Sequence, residues 1–90
     1  MKRYRCISEG KVQGVWYRRA IQEMASAAGF KGYVRNLPDG TVESVVDADE
    51  ASLETFKKIL YKGSPMSAVL NVTCEEVASG TPFESFEVVR

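Results

Sequence analysis

FKGYVRNLPDGTVESVV, residues 30–46, decides the fold. Phe30 to Asn36 and Thr41 to Val46 each read as a short strand, with Leu37-Pro38-Asp39-Gly40 between them. Proline presets the first central dihedral of a turn, and Asp-Gly tolerates positive φ. The two runs therefore form a hairpin. A helix is expected on each side of it. Upstream, Tyr17, Ile21, Met24, Ala25 and Ala28 fall on one apolar stripe, and Gly29 is placed to end that helix in a left-handed conformation. Downstream, Asp47 and Asp49 are candidate N-caps for a helix over residues 50–62. Its buried face is marked by Leu53, Phe56 and Leu60 with Ile59 beside them, and Gly63-Ser64-Pro65 stops it.

Further out lie the remaining strands. Lys2 to Ser8 alternates, with Tyr4, Cys6 and Ser8 on the core side, and Gly10 is expected to end it. Val69 to Val77 reads as a fourth strand, and Phe83 to Val89 as a short last one. The order is strand, helix, strand, strand, helix, strand, plus the short terminal strand. This is the α+β, ferredoxin-like split βαβ sandwich (βαββαβ), an antiparallel sheet with two helices on one face. Residues 1–90 read as one domain. The fold hosts many unrelated functions and decides none of them.

Composition narrows the classes. Twelve basic residues balance twelve acidic ones, so the basic excess of a general nucleic-acid binder is missing. No run reaches the roughly 18 apolar residues that span a bilayer, and the N-terminus lacks the apolar core of a secretory signal. The chain is therefore expected to be cytoplasmic, with no membrane or nucleic-acid partner. The chain has no histidine, which removes histidine bases, nucleophiles and metal ligands together. Two cysteines alone do not build a usual zinc site, so no metal and no cofactor are expected. Strands one and four are neighbours in this fold, which brings Cys6 and Cys74 close; a cytosolic chain favours free thiols there.

The even net charge hides a local surplus. Residues 1–19 carry Lys2, Arg3, Arg5, Lys11, Arg18 and Arg19 against Glu9 alone. Part of that surplus sits in Gly10-Lys11-Val12-Gln13-Gly14-Val15-Trp16-Tyr17-Arg18, which joins the first strand to the first helix. A helix start presents unpaired backbone N–H groups and the positive end of the helix dipole, and both favour an anion. Glycines let successive N–H groups turn inward. An arginine in the first turn opposes the dipole unless an anion lies between them, and its planar fork matches two phosphate oxygens. The loop lacks the Gly-Lys-Ser/Thr of a P-loop. Glycine spacing alone fits either a phosphate cradle or an ordinary strand-to-helix turn.

Two motifs sharpen that choice. Gly10 to Arg18 resembles the signature loop of the acylphosphatase family: Gly, a basic residue, Val-Gln-Gly-Val, a variable position, an aromatic residue and Arg. Gly32-Tyr33-Val34-Arg35-Asn36, with the turn and Gly40 behind it, is similar to that family's second signature. The resemblance spans nearly the whole chain. It implies a monomeric enzyme that hydrolyses small acyl phosphates to carboxylate and inorganic phosphate. It also implies roles: Arg18 and the backbone N–H groups of Gln13, Gly14, Val15, Trp16, Tyr17 and Arg18 hold the phosphoryl group, and Asn36 orients the attacking water. Leu37, where some relatives carry a hydroxyl residue, is given no catalytic role. Gln13 is expected to brace the loop with its side chain, Arg19 to sit on the surface, and Lys11 to be an exposed loop lysine. Trp16 is either a wall of the substrate entrance or a partly packed aromatic. A non-catalytic phosphate-binding module of the same fold is the alternative, and it needs Arg18 but not Asn36.

Overall fold

The computed structural model describes residues 1–90. The elements are β1 (Lys2–Lys11), α1 (Tyr17–Ala27), β2 (Lys31–Asn36), β3 (Val42–Ala48), α2 (Glu50–Lys62), β4 (Ala68–Val77) and β5 (Phe86–Val88). The strands make one sheet in the order β4-β1-β3-β2-β5. The split βαβ arrangement is therefore the observed one, and the expected hairpin joins β2 to β3. Asp39 tightens that turn by accepting hydrogen bonds from the Thr41 amide (3.0 Å) and hydroxyl (2.6 Å).

The sheet departs from the expected all-antiparallel one at its edge. β5 lies parallel to β2, with Gly32 opposite Phe86 and Val34 opposite Val88. It is also shorter than expected. Phe83 leaves the sheet and stacks edge-on against Tyr33, with the Arg3 guanidinium 4.2 Å from its ring centre. At the other end of the chain, Gly10 does not stop β1. The strand shifts register between Glu9 and Gly10 and continues to Lys11 against Ala68. Gly10 has φ 121°, and a Cβ there would lie 2.2 Å from the Ala68 carbonyl oxygen, so this bulge accepts only glycine.

Both helices cover one face of the sheet. Tyr4, Cys6 and Ser8 point into the core as expected, beneath Tyr17, Ile21 and Ala25 of α1 and Leu53, Phe56 and Leu60 of α2. The α1 stripe is narrower than expected, since Met24 is half-buried and Ala28 exposed. Of the two candidate caps for α2, Asp49 takes the role, accepting from the Ser52 amide at 2.7 Å. Asp47 instead pairs with Arg3 at 2.7 Å.

One expectation about chemistry is overturned. Cys6 and Cys74 are close, as the strand order implies, but they are bridged by a disulfide rather than free. The antiparallel register sets them directly opposite each other, with Cα atoms 4.0 Å apart. The free-thiol expectation followed from compartment; the register that joins the sulfurs is a tertiary property.

Candidate active site

The loop between β1 and α1 is held from below by its apolar residues. Val12 and Val15 are buried, while Gln13 and Gly14 between them face outward to differing degrees. Gly14 (φ 71°) and Trp16 (φ 64°) adopt left-handed conformations, and Trp16 is the only non-glycine residue to do so. Alternating left-handed residues is the pattern that turns successive N–H groups to one side. For a tryptophan that conformation costs about 1–2 kcal/mol. None of the backbone N–H groups from Gln13 to Arg18 finds an acceptor within the protein. The N-cap of α1 has no side-chain hydrogen bond, and its first turn has no acidic residue. A helix start normally gathers one or the other.

Three anchors hold this loop in place. Buried Ser64 donates to the Val15 carbonyl at 2.6 Å. The Tyr17 hydroxyl donates to the Leu60 carbonyl at 2.7 Å and is hydrogen-bonded to Ser8 at 2.9 Å. Burial pushes this phenol up to about 12, with the Ser8 bond pulling the other way. The third anchor is Gln13, whose amide donates to the carbonyls of Leu37 and Thr41, both at 2.8 Å. The expected brace is thus present, and it ties the loop to the β2–β3 turn.

That turn begins right after Asn36, the last residue of β2. The Asn36 amide makes no hydrogen bond to the protein, and its Oδ1 is buried without a partner. Arg18 lines the same cleft. No carboxylate lies within ion-pair distance of Arg18, and its one protein contact is a long 3.5 Å approach of Nη1 to the Val89 carbonyl. Gly14, Trp16, Arg18, Arg19, Asn36 and Val88 line a common cleft of about 370 Å³. The two residues singled out from separate motifs therefore meet, although 18 positions apart in sequence.

The other candidates divide. Trp16 is 70% exposed and lines the cleft, so it is not the packed aromatic of the two alternatives. Val15 and Tyr17 place only their backbones in the loop's outer surface, since their side chains are core. Arg19 is on the surface as expected, paired with Glu23 at 3.1 Å, yet it also reaches the cleft rim. Lys11 is exposed. No group of three or more Cys, Asp or Glu side chains is arranged to hold a metal ion. Sequence reasoning missed Ser64 as an anchor and Val88 as a wall. Ser64 stood in a helix-stop tripeptide and Val88 in a terminal strand, and no local pattern distinguished either.

Known proteins bear on this geometry. Residues 4–88 match the family model described as Acylphosphatase. An acylphosphatase of Methylococcus capsulatus is 40% identical over 90 residues, covering 100% of this chain and 98% of that one. One from Bacillus licheniformis is 42% identical over 88 residues, covering 98% of each. The crystal structure of acylphosphatase from Bacillus subtilis superposes with a TM-score of 0.91 at 34% identity, covering 100% of both chains. With the family model spanning almost every residue and the fold matching throughout, the chain belongs to the acylphosphatase family.

Proposed function

We propose that this member of the family hydrolyses small acyl phosphates by in-line attack of a water held by Asn36 on a phosphoryl group held by Arg18 and the 13–18 backbone. The observation that carries the reading is a conjunction. One cleft brings together an arginine without a carboxylate partner, a row of N–H groups without acceptors and an amide without a protein hydrogen bond. Elsewhere in a folded protein such groups are satisfied; here an acyl phosphate and a water would satisfy all three.

The chemistry suits a site without histidine. The leaving group is a carboxylate, whose conjugate acid has a pKa of about 4, so it departs with the electron pair of the P–O bond and needs no proton. The phosphoryl group passes through a loose transition state that asks little of the nucleophile. Positioning the water and stabilising the equatorial oxygens then supply most of the rate. Asn36 can accept from and donate to the water but cannot take its proton, which passes to a phosphoryl oxygen. The Arg18 fork and the N–H row supply the positive field, so no metal takes part. The loop and turn that carry the two groups are tied together by Gln13, which fixes their separation before substrate arrives.

Action as a monomer is part of this proposal. Cytoplasmic location is part of the same reading, and no helix is long and apolar enough to cross a membrane. Thiol trapping in intact cells tests the location, because a pair that stays bridged there would argue for an oxidising compartment. The test of function is phosphate release from acetyl phosphate in excess chelator. Turnover is expected. A protein that binds phosphate but releases none would be the non-catalytic module instead, and loss of turnover on chelation would break the metal-free part.

A further inference from the structure

β4 and β5 lie at opposite edges of the sheet, so residues 78–85 carry the chain across one of its ends. This strap contains no helix or strand. All of its residues are exposed except Phe83, which is half-buried. Phe83 is therefore the one side chain that fastens the strap inward, and it lands on Arg3 and Tyr33. The Arg3 guanidinium lies 4.2 Å from the Phe83 ring centre, and the Tyr33 ring packs edge-on at 5.8 Å. Arg3 also donates to the Thr81 carbonyl at 2.9 Å. The strap passes so near it that a Cβ at Gly80 would lie 3.4 Å from Nη1. Arg3 serves as a fixed post because Asp47 holds it through two hydrogen bonds, 2.7 and 3.1 Å, with 12% of its side chain exposed. Its charge is committed to Asp47; what the strap uses is a further N–H group and the flat guanidinium face.

The strap leads into β5, and β5 forms part of the cleft. Val88 lines it, and the Val89 carbonyl accepts the one protein hydrogen bond that Arg18 makes, at 3.5 Å. We propose that Arg3 and Phe83 are positioning residues, a latch that sets this wall, and through it the Arg18 fork, from the opposite end of the sheet. The inference rests on the phosphoryl-holding role given to Arg18 above. The two ends are distinct. Arg3, Asp47 and Lys31 make one row across β1, β3 and β2, and Ser8, Val42 and Asn36 make another. On β2, Lys31 and Asn36 are the first and last residues of a six-residue strand, roughly 17 Å apart at the rise of an extended chain. Neither Arg3 nor Phe83 lines the cleft.

β5 needs such a post. It is a three-residue edge strand in a parallel pairing, the weaker kind per residue. Burial of the Phe86 ring keeps its start on the sheet, and the Gln22 amide of α1 donates to the Phe86 carbonyl at 3.2 Å. Further along, the Val89 amide donates to the Val34 carbonyl at 2.9 Å. One buried ring fixes where β5 enters the core, but not how far it slides along β2. The strap limits that slide, since Arg3 holds its middle and the Gly32 amide holds the Ser85 carbonyl at 3.0 Å. A shift of about 1 Å at Val89 would turn the Arg18 fork away from the phosphoryl oxygens, and misplacement of that size lowers rates by as much as ~100-fold.

The experiment compares wild type with Phe83→Leu, Phe83→Tyr and Arg3→Lys. Leucine keeps an apolar contact without the ring face, tyrosine keeps the ring, and lysine keeps the charge opposite Asp47 without the flat fork. Inhibition by inorganic phosphate and kcat/KM for acetyl phosphate are measured well below the urea midpoint of each variant. Phe83→Leu and Arg3→Lys should each weaken phosphate binding and lower kcat/KM by about tenfold, while Phe83→Tyr stays within about twofold of wild type. Amide hydrogen exchange separates positioning from stability. In Phe83→Leu the Val89 amide should exchange at least ~10-fold faster, with the amides between β1 and β3 unchanged; a ring that only stabilises the fold would lower protection throughout. In the wild type, saturating phosphate should slow exchange at Val89, because the coupling is reciprocal. Unchanged phosphate inhibition in Phe83→Leu and Arg3→Lys, or a Val89 amide blind to phosphate in a wild type that binds it, overturns the latch and leaves the role of Arg18 intact. A wild type that neither binds phosphate nor releases it from acetyl phosphate would instead overturn the reading of Arg18.

Discussion

Arginines are used in two opposite ways in this molecule. On the face of the sheet away from the helices they are neutralised. Arg3 pairs with Asp47 through two hydrogen bonds, and Arg5 and Arg35 both donate to buried Glu43. Burial pushes the Glu43 carboxyl upward, but the two guanidiniums outweigh it and hold its pKa below the ordinary value. At the cleft the pattern reverses. Arg18 has no carboxylate partner, and the N–H groups around it have no acceptors. On the proposed function, the difference separates charges that finish the fold from a charge kept for a ligand. A cation opposing the helix dipole, left unneutralised, does nothing for stability.

The sharpest way to break this contrast is at Arg18. Arg18→Ala should lower kcat/KM for acetyl phosphate by at least ~100-fold, about 3 kcal/mol, while the urea midpoint stays at or above the wild-type value. Arg18→Lys should fail nearly as badly, because a point charge does not replace the fork. A variant at 18 that unfolds the protein would show that Arg18 belongs with the structural arginines.

The frame is expected to respond in stability instead. The Cys6–Cys74 bridge closes a loop with a sequence separation of 68. Reducing it should cost about 2–4 kcal/mol of folding free energy, read as the urea midpoint with and without dithiothreitol. Turnover in the folded protein should survive, since the bridge lies between β1 and β4 and not in the cleft. Glu43→Gln should cost about 1–2 kcal/mol at pH 7, because Arg5 and Arg35 lose a shared partner but remain partly solvated. The sign of its pH dependence follows from the depressed pKa. The carboxylate stabilises the fold above its ordinary value near 4.5 and loses that contribution as pH falls toward the folded pKa. The stability gap between wild type and Glu43→Gln should therefore narrow between pH 6 and pH 3.

Gln13 lies on the boundary between the two uses, since it is satisfied by the protein yet positions the site. Gln13→Ala should lower kcat by ~10-fold through a looser separation of loop and turn. The inhibition constant for inorganic phosphate should move less, since Arg18 and the N–H row remain. Equal losses in both would make Gln13 a general support for the loop.

Much of this frame was legible in sequence. Pro38-Asp39-Gly40 set the hairpin, the helical stripes set which face carries α1 and α2, and two motifs named Arg18 and Asn36 before any geometry. What escaped depends on contacts between distant segments. Gly10 looks like a terminator until β4 is placed beside it, when it becomes a bulge pressed on Ala68. The parallel pairing of a three-residue β5 leaves no periodicity to read. The disulfide needs a register, not a spacing. A left-handed Trp16 runs against the preference of aromatic residues, so no propensity argument reaches it.

The central claim is that Asn36 turns an anion cradle into a hydrolase, and Asn36→Ala tests it most directly. The measurement is steady-state phosphate release from acetyl phosphate by wild type and variant, with the inhibition constant for inorganic phosphate determined in the same assay. The account predicts a fall in kcat of roughly 100-fold, the scale of losing one positioning donor, with phosphate affinity within about threefold of wild type. An unchanged kcat, or a large loss of phosphate affinity in its place, would contradict the account and make Asn36 a bystander or a ligand.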